Sequence, residues 1–339
     1  MITIADIAKR AGVAPSTVSR VLTGRGYSAK KTRDLVMHTA DDLAYTPNRV
    51  AQSLRLRRTK TLGLLIADVE NSFYSQIAKN VETVAKQAGF HVVLCNSNDD
   101  PREERDCLDL LAGLRVDGIL ITPTGKNLGH LQSLLSGGIK IVQLDRKIDK
   151  LQCDSVTVDN RKGAEAAVEH LIQKGHRRIG ILAGEIRVTT GRQRLEGYRL
   201  ALKKYGIPFD DSFVRESNFL RETAVQAAQS LLKMRQLPTA VFAANNVLAE
   251  ACLVVLKDLG LSVARDISVV AFDDAPWMQM IERPLTVVVQ PTEELAGTAT
   301  NLILRRILEP QPSKAVRVVL EPTLIPRDSV SSSGNGATK

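Results

Sequence analysis

The chain has 339 residues, 44% apolar and 24% charged, with a net charge of +9. That length and balance exclude a disordered chain and leave room for two or three domains around a sizeable core. No run is apolar enough to span a bilayer and no apolar leader precedes the first helix, so a cytoplasmic protein is expected.

The charge is concentrated at one end. Residues 1–60 hold twelve Lys and Arg against four acids, a net +8, which argues for a polyanionic partner there. Within this segment, TIADIAKRAGVAPSTVSRVL (Thr3 to Leu22) places Ile4, Ile7, Ala8 and Ala11 on one helix face. Thr3 with Asp6 forms a capping-box-like start, and Gly12 ends the helix by accepting φ > 0. Pro15 suits the first position of a second helix, which turns Val18, Val21 and Leu22 inward and leaves Pro15, Ser16, Ser19 and Arg20 outward. Two short helices about a Gly-containing turn predict a helix-turn-helix. A third helix, with Leu35, Val36, Thr39 and Leu43 at helical spacing, packs across them; His38 has a surface or packing role. After Pro47, the segment RVAQSLRLRR sets Val50, Ala51 and Leu54 among arginines. So short and basic a helix has little stability alone and needs DNA or a partner chain to order it.

From Thr61 the pattern changes to apolar strands alternating with helices, about ten strands in all, which predicts parallel sheets covered on both faces. The expected order runs through TLGLLIAD, a helix ending at Gly89, HVVLCNS, DGILIT, KIVQLD and SVTVD. It continues through RRIGILAG, a helix over Gln193–Tyr205, TAVFAA, ISVVAFD, LTVVVQ and a closing strand pair near 316–326. Residues 329–339 read as a flexible polar tail without apolar heptads, which argues against a tail-driven tetramer. Cys95, Cys107, Cys153 and Cys252 are scattered without a CxxC pair, so neither a disulfide framework nor a zinc site is expected. The absence of GxGxxG, GKS/GKT and GxSxG motifs argues against an enzyme, and no cofactor or metal is expected.

The segments TIADIAKRAGVAPSTVSRVL, YTPNRVAQSLRLRRTKTLGLL, HLIQKGHRRIGILAG, RLEGYRLAL and VVAFDDAPW…PLTVVVQP resemble the LacI/GalR family of bacterial transcription repressors, from about Ile2 to Arg327. The resemblance implies an all-α helix-turn-helix headpiece (1–46), a hinge helix and linker (47–60) and an α/β core (61–328). The core would comprise two doubly wound parallel-sheet lobes like those of periplasmic sugar-binding proteins. One lobe is expected over about 61–160 and 292–326, the other over about 161–290. It implies a homodimer on a pseudopalindromic double-stranded operator, released or tightened by a small effector in the cleft. Carried onto this chain, the DNA-facing set is Thr3, Pro15, Ser16, Thr17, Ser19, Arg20, Tyr27, Asn48, Arg49, Ala51, Leu54 and Arg55. Arg20 can donate to guanine or to phosphate, and Leu54 matches the leucine that wedges into the minor groove. Arg57 joins Asn48, Arg49 and Arg55 as a phosphate or minor-groove contact.

Ligands of two-lobed parallel folds bind at the carboxyl ends of the strands. Phe73, Tyr74, Asp145, Arg146, Arg194, Asn245, Asp273 and Gln290 stand at such positions and match effector contacts of the family. Trp277, the only tryptophan, lies four residues past Asp273 and suits either a sugar ring or lobe packing. With two arginines in the set, a sugar or sugar acid is expected, the acid slightly favoured. The runner-up reading is a transport-type sugar-binding protein, against which the basic headpiece counts.

Overall fold

The computed structural model describes residues 2–23, 27–45, 58–309 and 314–333. They fall into two compact units, Met1–Thr59 and Lys60–Lys339. The hinge-segment positions Asn48, Arg49, Ala51, Leu54, Arg55 and Arg57 lie outside the described residues.

The first unit contains α1 (Ile4–Ala11), α2 (Pro15–Thr23) and α3 (Lys30–Asp42). Gly12 closes α1 at φ 64°, a left-handed conformation that costs glycine nothing. Ile7, Ala8, Ala11, Val18, Val21, Val36 and Ala40 form the core. Leu35, expected inside, is 46% exposed. The stripe that faces α1 and α2 is Val36, Thr39 and Ala40, spaced i, i+3, i+4, and Leu35 falls one residue off it. His38 is exposed beside Asp42, at 3.7 Å.

The second unit begins with β1 (Thr61–Ile66), α4 (Ser72–Gln87), β2 (His91–Asn96), α5 (Pro101–Gly113), β3 (Gly118–Ile121), α6 (Leu128–Ser136), β4 (Lys140–Leu144) and β5 (Asp154–Val158). These strands, with β11 (Arg317–Leu320), make a parallel sheet of order β11-β5-β4-β3-β1-β2. Along β1, Leu62, Leu64 and Ile66 face α4 and α11 (Thr292–Leu308), whereas Leu65 faces α5 and α6. Both faces are therefore apolar, which is why the strand reads as one unbroken hydrophobic run.

The second lobe holds α7 (Asn160–Gln173), β6 (Ile179–Ala183), α8 (Thr189–Lys204), β7 (Val214–Glu216), α9 (Arg221–Leu232), β8 (Ala240–Ala243), α10 (Asn246–Asp258), β9 (Ser268–Phe272), β10 (Thr286–Val289) and β12 (Thr323–Ile325). The sheet order is β12-β10-β9-β8-β6-β7, parallel except that β12 runs antiparallel to β10. Four expectations change here. β7 and α9 lie in a stretch to which the sequence pattern assigned nothing. Helix α8 starts at Thr189, so Arg194 is in its second turn. The closing strands do not pair: β11 joins the first sheet and β12 the second, which removes 323–326 from the first lobe. Finally, the tail is docked at its start. Ser329 is fully buried, its hydroxyl donating to Val269 O (2.6 Å) and accepting from Thr286 N (2.8 Å). Three chain crossings thus join the lobes, after β5, β10 and β11. Among the described residues no helix is long and apolar enough to cross a membrane. The four cysteines are unpaired thiols, three of them buried.

Candidate functional sites

In the first unit, the outward face of α2 is as expected from its periodicity. Pro15, Ser16 and Arg20 are exposed, Thr17 and Ser19 half-buried, and Val18 and Val21 inside. Tyr27 is 88% exposed beyond α2. Thr3 caps α1: its hydroxyl accepts from Asp6 N, and its own N–H and hydroxyl donate to the Asp6 carboxylate at 2.8 and 2.7 Å. A proline in the first turn and short hydroxyl side chains let this face approach another surface closely.

In the second unit, eight of the nine cleft candidates surround one cavity between the lobes: Phe73, Tyr74, Asp145, Arg146, Arg194, Asn245, Asp273 and Gln290. Their placement follows from the strands. Asp145, Asp273 and Gln290 immediately follow β4, β9 and β10, Asn245 caps α10 after β8, and Phe73 and Tyr74 sit in the first turn of α4. Asp145 and Asp273 leave their strands at φ 65° and 69°, a left-handed step that swings each carboxylate inward. Trp277 is not among them. It lies in a 3₁₀ turn, Pro276–Gln279, half-buried against the hydrophobic core of the second lobe.

Two arginines dominate the cavity, and each is already engaged. Arg146 meets Asp99 through two hydrogen bonds (2.5 and 3.0 Å). Arg194 donates to Asn160 Oδ1 (2.8 Å) and Ala244 O (2.6 Å), lies 3.7 Å from Asp273, and stacks 3.7 Å above the Phe272 ring centroid. Asp273 also accepts from Gln290 Nε2 at 2.5 Å, and Asp145 accepts from the Tyr74 hydroxyl at 3.1 Å. Burial pushes the Asp145 carboxyl up to about 6, against the pull of Arg146 and Arg194, and raises Asp273 in the same way. Burial likewise lifts the Tyr74 hydroxyl far above its ordinary range, so it remains a donor. Arg146 Nε and Gln290 Oε1 are buried with no hydrogen-bond partner, an open donor and an open acceptor.

Several lining residues escaped the sequence reading: Asn71, Asp99, Thr190, Asn218 and Phe219 among them. Asn71 carried a signal, as a helix cap directly after a strand. Phe219 carried none. Its ring packs onto Gly184, where a Cβ would lie 1.8 Å from it, and faces Arg146 across the cleft at 5.5 Å. The lobes also touch through Asn246 Nδ2 to Asn71 Oδ1 (2.9 Å) and Lys147 N to Thr189 Oγ1 (3.2 Å). Direct hydrogen bonds therefore hold the two lobes together across the cleft. Among the described residues, no cluster of His, Cys, Asp or Glu has the makings of a metal site.

Residues 3–48 match the family model "Bacterial regulatory proteins, lacI family" and residues 59–331 match "Periplasmic binding proteins and sugar binding domain of LacI family". The HTH-type transcriptional regulator DegA of Bacillus subtilis (strain 168) is 34% identical over 333 residues, spanning 97% of this chain and 98% of its own. The lac repressor dimer bound to operator and the anti-inducer ONPF superposes with a TM-score of 0.86 at 28% identity, over 97% of this chain and 99% of that one. The transcriptional regulator CelR in complex with cellobiose gives 0.73 at 33% identity, over 97% and 100%.

Proposed function

Because the chain belongs to the LacI family of bacterial regulatory proteins, we propose that it is a sequence-specific repressor whose operator affinity is set by a sugar held between the core lobes. A single α2 offers too few base contacts for tight binding, so two copies act together on half-sites about one turn apart. The net +8 of residues 1–60 supplies the phosphate-directed attraction. In this reading Pro15, Ser16 and Arg20 meet base edges, and Leu54 wedges the minor groove between them.

The observation that carries the effector assignment is the polar cavity between the lobes at the strand ends. Its charges refine the ligand. Asp68, Asp99, Asp145 and Asp273 line it with two arginines, each facing an aspartate. The aspartates outnumber the arginines and each arginine already faces one, so the balance supports a neutral, hydroxyl-rich ligand over the acid. Asp273, Asn245 and Arg194 suit vicinal hydroxyls. No serine, cysteine or histidine lines the cavity, and both buried aspartates are held by neighbours, which supports binding over catalysis. A transport protein would share the core; the helix-turn-helix unit favours the regulator.

Ligand binding then sets the lobe angle, and through it the spacing of the two hinge segments in a dimer. Such coupling is typically about 1–3 kcal/mol, or roughly 5- to 150-fold in affinity. The test selects an operator from random double-stranded DNA and titrates it in the presence of a sugar panel. We expect a two-fold symmetric site, a steep salt dependence, and one sugar that shifts affinity by at least fivefold. Asp273→Asn should abolish that shift and keep operator binding. A variant responding at wild-type sugar concentrations would show that the cleft is not the effector site.

A further inference from the structure

The second lobe has a cavity of its own at the far end of its sheet, where β6 begins and α8 ends. It leaves about 370 Å³ free, within the range of about 300–1,000 Å³ typical of small-molecule sites. Helix α8 reaches from the cleft to this cavity. Thr190, Arg194, Tyr198 and Leu202 form one row of four-residue steps along it. The first two line the cavity between the lobes and the last two line this one. Arg194 and Leu202 stand about 12 Å apart along the helix axis, so the two cavities are separate.

The lining combines rings with two separated charges. Aromatic residues make up only 4% of the chain, yet Tyr198, Tyr205 and Phe213 all line this cavity. Tyr198 is buried and its hydroxyl donates to Ile179 O at 2.7 Å, so it offers the cavity its ring and no free polar group. Leu202 and Phe213 extend that apolar surface. Arg177 donates through Nη1 to Ile172 O (2.9 Å) and His176 O (3.0 Å). These bonds pin the guanidinium and leave its Nε and Nη2 fork without a protein partner. Such a fork matches the two oxygens of a carboxylate. Asp210 accepts from Ser212 N at 2.8 Å on Oδ1, which leaves Oδ2 open to a donor. Arg177 and Asp210 are not paired with each other, so the cavity presents a cation and an acceptor on either side of an aromatic surface.

We propose that this cavity is a second ligand site, for a small aromatic carboxylic acid that carries a ring hydroxyl. The ring lies on Tyr198 and Phe213, the carboxylate takes the Arg177 fork, and the hydroxyl donates to Asp210 Oδ2. The assignment stands apart from the reading of the cleft and survives if the cleft holds no sugar. Isothermal titration of the full chain with 4-hydroxybenzoate and 4-hydroxycinnamate, which differ in reach, tests it. The matching amides and the acids without the hydroxyl are the comparison. At least one hydroxy acid should bind, its amide tenfold or more weakly and its deoxy acid threefold or more weakly. Arg177→Gln should weaken the acid tenfold or more. Arg178→Gln, at the neighbouring exposed arginine outside the cavity, removes the same charge and should leave affinity unchanged. An unshifted thermal transition in both variants shows that the fold is kept. No heat from either hydroxy acid, an amide or deoxy acid that binds as tightly, or equal losses in the two arginine variants would overturn the proposal.

Discussion

The helix-turn-helix unit and the two-lobed unit handle backbone strain differently. Among its described residues, the first has one non-glycine residue at positive φ, Ala44 just past α3. The second has eight, and four of them, Asp99, Asp145, Phe219 and Asp273, line one cavity. Each such residue costs on the order of 1–3 kcal/mol and persists only where its surroundings over-determine it. Relative to their sizes the two units hold similar numbers of such residues; what differs is that four of those in the second gather at one cavity. The outward face of the small unit is presented from regular helix, whereas the large unit lines its cavity with several residues in left-handed backbone.

That contrast predicts unequal tolerance to the same lesion, and this is the largest effect expected. Ile7 is fully buried in the small core. Removing its side chain beyond Cβ costs about 2–5 kcal/mol. At roughly 0.05–0.15 kcal/mol per residue, a unit of this size has only a few kcal/mol in reserve. Ile7→Ala should leave the helix-turn-helix largely unfolded, abolish operator binding, and leave the core transition unmoved. Leu64→Ala, equally buried in the first lobe, should lower the core transition and leave the core folded at 25 °C. Hydrogen exchange on the full chain separates the two. Equal loss of protection in both units after Ile7→Ala would end the distinction.

The same contrast explains what the sequence made legible. The first unit announces itself through neighbours: a cap at Thr3, a stop at Gly12, an N1 proline at Pro15. A misread position, Leu35, shows that a thirteen-residue helix admits two plausible apolar stripes until its partners choose. In the core, continuous apolar runs reveal the strands, and strand-end polar residues reveal most of the cavity, because parallel sheets bind ligands there. Phe219 was invisible because its position depends on Gly184, 35 positions earlier, and on a left-handed backbone. For Trp277 the sequence left a sugar contact and lobe packing open, because nearness to Asp273 says nothing about direction; the 3₁₀ turn packs the half-buried ring against the core of the second lobe. Helix α9 was legible in hindsight. Ala224, Ala227, Ala228, Leu231 and Leu232 repeat at helical spacing, though mostly as alanines that give a weak apolar signal.

A smaller effect sharpens the comparison at the strained end. Asp145 is held at about 6, above its value in the unfolded chain, chiefly by burial. The folded protein therefore binds this proton more tightly than the unfolded one. Below about pH 4 both forms are protonated and nothing is lost. As pH rises to 6, the unfolded chain ionises first and folded stability falls, by up to about 3 kcal/mol for a difference of this size. Asp145→Asn removes the titration. Its stability relative to the parent chain should improve between pH 4.5 and pH 7.5 in denaturant unfolding. A difference that stays flat across that window would mean Asp145 is ionised as easily folded as unfolded.

The smallest effect tests the unstrained end. The Thr3 hydroxyl accepts from Asp6 N, while the Asp6 carboxylate takes hydrogen bonds from the Thr3 hydroxyl and N–H. Replacing such a cap by alanine costs about 0.5–2 kcal/mol. Thr3→Ala should lower protection of the α1 amides and leave the core untouched, and Thr3→Ser should restore most of it. The Thr3 hydroxyl bond is also the main cause of the lowered Asp6 pKa. Stability from this contact is therefore present above the unfolded carboxylate range and is lost as pH falls through the folded value. In the parent chain, α1 protection should drop more between pH 6 and pH 3 than it does in Thr3→Ala. If the two chains lose protection in parallel, the capping box contributes nothing measurable. Helix α1 would then be held by Ile7, Ala8 and Ala11 alone, and the small unit would depend on packing as completely as the large one does.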